Sequence, residues 1–204
     1  MAILCIVEKS IFKGIGKMKN PKLTIIGLMM CSFFSGCKSE KEQVRDNIEQ
    51  MKSRPIELCL DKMECRRNPL SKLGKEFTMV VYVDSAVCSP CALGKLRFWN
   101  PLISEAKKER IDIDYVFILS PKKEELEDVN MELDITDLQS SVYLDTENIF
   151  QRSNVTIPKG QQYHSFLLDK EFNVILIGSP IEKEKIKCIY KRIISGKCKT
   201  KIVM

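Results

Sequence analysis

At 204 residues, the chain has room for one compact domain with appendages. Hydrophobic residues at 44% and charged residues at 29% are a globular balance. The net charge of +6 is concentrated at the start, where residues 1–36 carry Lys9, Lys13, Lys17, Lys19 and Lys22 against Glu8, leaving only +2 on the rest; with no basic patch interleaved with aromatics, nucleic acid is excluded as a partner.

Residues 18–37 read MKNPKLTIIGLMMCSFFSGC. Lys19 and Lys22 form a positive start, and residues 23–34 form an apolar stretch that is short for a spanning helix and suited to a secretory signal. Its end, Phe34-Ser35-Gly36-Cys37, resembles a bacterial lipobox. That resemblance implies acylation of Cys37, a lipid anchor in the membrane and a place in the cell envelope facing the periplasm. Lys38, next in line, favours the outer membrane. An uncleaved signal anchor is the other reading. Residues 1–17 precede a better start at Met18 and carry no fold content.

Residues 38–51 are charged and poor in large apolar side chains, as expected of a solvated, partly helical tether. Residues 55–60, PIELCL, alternate and predict an edge strand. Residues 66–75, punctuated by Pro69 and Gly74, read as a loop.

The stretch 77–99, FTMVVYVDSAVCSPCALGKLRFW, organises the chain. Residues 77–83 are β-branched and apolar, a strand, and the run breaks at Asp84-Ser85. Two cysteines follow, Cys88 and Cys91, and then a helix with Leu93, Leu96 and Trp99 on one face. A cysteine at a helix N-terminus sees unpaired N–H groups and the positive end of the dipole, which favour thiolate over thiol. Cys88 is therefore read as the attacking sulfur, with a depressed pKa, and Cys91 as the resolving one. Pro90 fits the first helical turn. Asp84 reads as a turn former, with proton acceptance through a water as its other role. Trp99 reads as core.

This strand, turn, C-x-x-C and helix resemble the thioredoxin superfamily, in particular the membrane-tethered thiol-disulfide oxidoreductases of the TlpA and ResA type. The resemblance covers residues 74–195. It implies a three-layer α/β/α sandwich around a central mixed sheet, and dithiol/disulfide exchange with protein partners. One departure is Val87, where the family usually has an aromatic residue.

Beyond the dithiol, Pro101 marks a kink, and residues 111–120 predict a strand buried on both faces. Pro121 opens a helix, 141–145 is a short strand, and 154–162 is a loop. Residues 164–168 and 174–177 form a hairpin, and 181–194 an amphipathic helix. The β-α-β-α-β-β-α order matches the superfamily. The predicted organisation is a leader (1–37), a charged tether and lead-in (38–73), a thioredoxin-like domain (74–196) and a tail (197–204).

In relatives a cis-proline facing the dithiol leads into the first hairpin strand; here His164 or Ser165 stands there. Facing Cys88, a His164 imidazolium would favour the thiolate and shuttle a proton; the alternative is a histidine with no role. The missing proline would also let a metal reach Cys88, Cys91 and His164, although no metal and no cofactor is assigned.

Of the remaining cysteines, Cys5 and Cys31 lie in the leader. Cys59, Cys65, Cys188 and Cys198 are candidates for structural disulfides, which an exported chain permits, or for small buried hydrophobes. The function read here is lipid-anchored thiol-disulfide exchange with protein thiols and disulfides of the envelope and an upstream redox partner. The alternatives are a non-catalytic thioredoxin-fold binding module with a static Cys88–Cys91 clasp, and a thiol peroxidase.

Overall fold

The computed structural model describes residues 39–70, 73–86, 88 and 90–196, with Pro90 and Cys91 described in backbone only. The leader, Cys37 with its expected acylation, Cys5, Cys31, Val87 and Cys198 lie outside the described residues. Two units divide the chain, residues 1–43 and the compact unit 44–204. Of the first, residues 39–43 are described. There the Ser39 N–H donates to the Glu42 carboxylate at 3.0 Å and the Glu42 N–H to the Ser39 hydroxyl at 3.3 Å, a capping box that starts helix α1 (Glu40–Met51).

The compact unit is a six-stranded mixed sheet between two helical layers. Its strands are β1 (Glu64–Arg67), β2 (Phe77–Val83), β3 (Ile113–Leu119), β4 (Ser141–Leu144), β5 (Ser165–Leu168) and β6 (Val174–Ile177), in the order β1-β4-β3-β2-β5-β6. β2, β3 and β4 run parallel, while β1, β5 and β6 pair antiparallel. The remaining helices are α2 (Pro90–Leu93), α3 (Asn100–Lys108), α4 (Leu126–Ile135), α5 (Ile149–Ser153) and α6 (Glu184–Ile194).

Period-two alternation divides the strand side chains between two cores. Met79, Val81, Phe117 and Leu119 pack with Leu93, Leu96, Trp99, Ile103, Val129, Leu133, Ile186 and Tyr190 from α2, α3, α4, α6 and the turn before α3. Val80, Val116, Ile118, Phe166 and Leu168 pack on the other face with Met51, Ile56, Leu58 and Phe150. All seven residues of β3 are buried, as the continuous apolar run 115–119 requires. Trp99 stands edge-on to Phe117 at 5.7 Å between ring centres, in the core as expected.

Several expectations change. PIELCL is not a strand. Its Ile56 N–H donates to the Phe172 carbonyl at 2.9 Å, and its Glu57 backbone is clasped on both sides by the Asn154 side chain at 2.9 and 2.8 Å. Cys59 then turns the backbone left-handed, at φ 50°, which ends any ladder. The edge strand is β1 instead. The compact unit begins at Val44, well before Gly74, because fully buried Met51 at the end of α1 and the half-buried Ile48 belong to its core. The active-site helix is also broken. After the single turn of α2 a 3₁₀ turn (Leu96–Trp99) intervenes, and Pro101 sits in the first turn of a new helix, α3, rather than kinking an old one. Among the described residues no helix is long and apolar enough to cross a membrane.

Candidate active site

The dithiol segment leaves β2 at Val83. The Asp84 carboxylate accepts the Ala86 N–H at 3.0 Å, the turn expected of it, and the Asp84 carbonyl accepts the Cys88 N–H at 2.8 Å. α2 begins two residues later, at Pro90, and takes up Cys91. Cys88 is a free thiol.

Cys88 is not held ionised. It is 1% exposed and packs in the same core as Met79, Val81, Leu93 and Leu96. Burial pushes its thiol up from 9.0 to about 12, and the charges of Glu125 and then Asp84 push the same way. The expectation of a depressed thiol fails for two physical reasons. Cys88 precedes a helix of only four residues, whose dipole is small, and its charged neighbours are carboxylates. Both carboxylates also oppose the peroxidase reading, which needs a stabilised thiolate. Nothing in the sequence marks Glu125, which sits in the 3₁₀ turn before α4; its charge is brought to bear on Cys88 by the tertiary fold.

His164 is buried at the entrance to β5, where its carbonyl accepts the Tyr82 N–H at 2.8 Å. Its ring lies edge-on to Tyr82, 5.1 Å between centres. Nε2 is 3.1 Å from the Pro158 carbonyl oxygen, and Nδ1 is 3.6 Å from Asp84 Oδ2. Burial lowers the His164 pKa, against an upward pull from Asp84 and from Pro158. The structure thus brings His164 to Asp84, not directly to Cys88, and favours a neutral ring over the expected imidazolium. Burial also raises the Tyr82 phenol, with Asp84, Asp145 and Cys88 adding to the rise.

Cys59, Cys65 and Cys188 are free thiols. The Cys59 thiol donates to the Ser153 hydroxyl at 3.6 Å and the Cys65 thiol to the Arg67 carbonyl at 3.5 Å, so the two turn to different neighbours instead of bridging. Cys188 is exposed on α6. Among the described residues no group of three or more His, Cys, Asp or Glu side chains is arranged to hold a metal.

The arrangement is that of a thioredoxin-like α/β protein, with a C-x-x-C pair where the central strand passes into a helix. No protein-family model and no curated protein matches the chain. Solved structures do match. A thioredoxin-like protein solved in solution in its oxidized form superposes with a TM-score of 0.50 at 14% identity, over 70% of this chain and 96% of that one. A candidate protein disulfide isomerase from Bacteroides thetaiotaomicron gives 0.46 at 18%, over 64% and 83%. A candidate thiol:disulfide interchange protein DsbE from Chlorobium tepidum gives 0.45 at 18%, over 60% and 80%. The first of these supports the thioredoxin-like fold.

Proposed function

We propose that this protein is an envelope thiol-disulfide oxidoreductase, anchored by lipid on Cys37, that reduces disulfides in partner proteins through Cys88 and Cys91. The observation that supports the reading is Cys88 after the C-terminal end of β2, with Cys91 in the single turn of α2, on a thioredoxin-like sheet. Cys88 attacks a substrate sulfur to form a mixed disulfide, and Cys91 resolves it. An upstream dithiol donor restores the reduced pair.

What supports the reducing direction is the state of Cys88. Strongly oxidising C-x-x-C proteins owe their potential to a stabilised thiolate in the reduced form. Here burial, Glu125 and Asp84 all disfavour that thiolate. A reduced form that gains little from ionisation of Cys88 favours the reducing direction.

The 1% exposure of Cys88 favours a second reading, a thioredoxin-fold binding module that does not exchange. Reduction of insulin disulfides by the reduced full chain separates the two. Precipitation of the freed insulin chain, lost in Cys88→Ser, supports exchange; no reduction above the buffer rate supports the module. Cys37→Ala should move the protein out of the membrane fraction, and unchanged fractionation would remove the anchor.

A further inference from the structure

We propose a second binding site, at the end of the sheet away from the dithiol, for an apolar amino acid whose nitrogen is acylated and whose carboxylate is free. It stands apart from the exchange reading and does not depend on it.

The site is a cavity of about 610 Å³, within the size range of small-molecule pockets. It is lined by Ile113 and Asp114, which open β3, and by Ser140 and Ser141, where β4 begins. β2, β3 and β4 run parallel, and Cys88 follows the far end of β2. The cavity and the dithiol therefore lie at opposite ends of these strands.

Most polar groups of the wall are already committed. The Ser140 hydroxyl donates to the Tyr115 carbonyl and the Ser141 hydroxyl to the Asn68 carbonyl, each at 2.7 Å. Lys107 Nζ donates to the Gln139 carbonyl at 3.1 Å, and the Arg67 guanidinium to the Leu133 and Leu138 carbonyls at 2.6 and 3.5 Å. Asp114 differs. Its side chain is 5% exposed, and its Oδ1 lies 2.8 Å from Lys75 Nζ, which also donates to the Ile113 carbonyl at 3.0 Å. Its Oδ2 is buried and accepts no hydrogen bond among the described residues. A buried carboxylate oxygen without a donor is costly. Asp114 lines the cavity, so a bound molecule can supply that donor.

The wall selects the ligand by three features. Lys75 already balances the Asp114 charge, and an ammonium brought to Oδ2 would meet the Lys75 ammonium, so the donor it suits is a neutral N–H, as in an amide. Arg67, Lys75 and Lys107 stand against Asp114 and Asp137, an excess of one positive charge that matches one carboxylate. Arg67 and Lys107 each carry more N–H donors than their carbonyl bonds use. Ile103, Ala106 and Leu138 are buried in the same wall and offer an apolar side chain its contacts. An acylated apolar amino acid carries an amide N–H, a carboxylate and such a side chain on one carbon. The last residue of a polypeptide carries the same three groups.

The test is an NMR titration of the ¹⁵N-labelled full chain with N-acetyl-L-leucine. The Ala106, Leu138 and Ser141 amides should shift and saturate; no shift at about 10 mM, or shifts confined to the dithiol end, overturns the site. N-acetyl-N-methyl-L-leucine lacks the N–H, and N-acetyl-L-leucinamide lacks the charge. Each should bind at least about 10-fold more weakly, and equal binding by either overturns the proposal. Free L-leucine, whose nitrogen is an ammonium, should also bind more weakly; tighter binding contradicts the choice of donor. Asp114→Asn, with its oxygen kept on Lys75, presents a donor where Oδ2 stood and should abolish binding. The ligand series decides the matter even where that variant does not fold. Lys107→Gln, at an exposed position, should weaken N-acetyl-L-leucine and leave the leucinamide unchanged, and an equal effect on both counts against the carboxylate contact. An acetylated tetrapeptide ending in leucine that binds as well as N-acetyl-L-leucine assigns polypeptide C-termini as the source, and its exclusion assigns the free acyl amino acid.

Discussion

Replacing Glu125 with Gln should make Cys88 easier to ionise, by an amount the structure bounds. The thiol stands at about 12 against an ordinary 9.0, and the causes rank as burial, then Glu125, then Asp84. A cause that ranks second accounts for less than half of the rise, so for less than about 1.5 pH units, or about 30-fold in thiolate at a fixed pH. The Glu125 side chain is 34% exposed, so solvent and salt screen its charge, and a gain of about 3- to 10-fold is the expected outcome. The assay is iodoacetamide alkylation between pH 8 and 10, read by mass spectrometry, with the exposed thiol of Cys188 in the same molecule as the reference. A Cys88/Cys188 labelling ratio that stays constant or falls in Glu125→Gln would refute the account of why Cys88 is protonated. A gain far above 30-fold would mean that charge, not burial, governs the site.

Leu93 is 0% exposed and ties α2 to the sheet, so Leu93→Ala should cost about 2–5 kcal/mol and lower Tm by about 5–15 °C in thermal denaturation. Alkali should destabilise the fold in a defined window. The Tyr115 and Tyr190 hydroxyls share a hydrogen bond of 2.5 Å, and burial raises both phenols, Tyr115 from 10.0 to about 12. The folded state therefore prefers the protonated phenols; their contribution is complete below pH 10 and is lost as pH rises through 12. Tyr115→Phe should make the fall of Tm between pH 10 and 12 shallower, as measured by circular dichroism melts.

The strands of this fold were legible wherever the chain repeats a simple period. The apolar run 77–83, the buried run 113–119 and the hairpin 165–177 emerge as β2, β3, β5 and β6 within a residue or two of their predicted bounds, because burial on one or both sheet faces dictates those patterns. What escaped was decided by tertiary partners. PIELCL has a strand's alternation but is held by Asn154 and Phe172, about a hundred residues on, so its Ile56 and Leu58 are buried without a ladder. β1, ECRR, has little strand character and exists because β4 offers it an edge. At the candidate site, the sequence pattern singles out Cys88, Cys91 and His164 as candidates, but not the electrostatics around Cys88 and His164. The pairing of β2 with β5, Val81 opposite Ser165, is what brings His164 beside Tyr82 and within reach of Asp84. The same folding buries Cys88 where burial, Glu125 and Asp84 disfavour the thiolate that the strand-to-helix motif alone predicts.

Exchange through buried Cys88, with Cys91 resolving the product, is tested most directly by trapping. Cys91→Ser removes the resolving sulfur and should leave substrate proteins bound to this chain in the envelope. Isolation under denaturing, non-reducing conditions, followed by peptide mapping, should find them joined through Cys88 and released by dithiothreitol. Adducts absent altogether, or carried on exposed Cys188 with Cys88 unmodified, would contradict it.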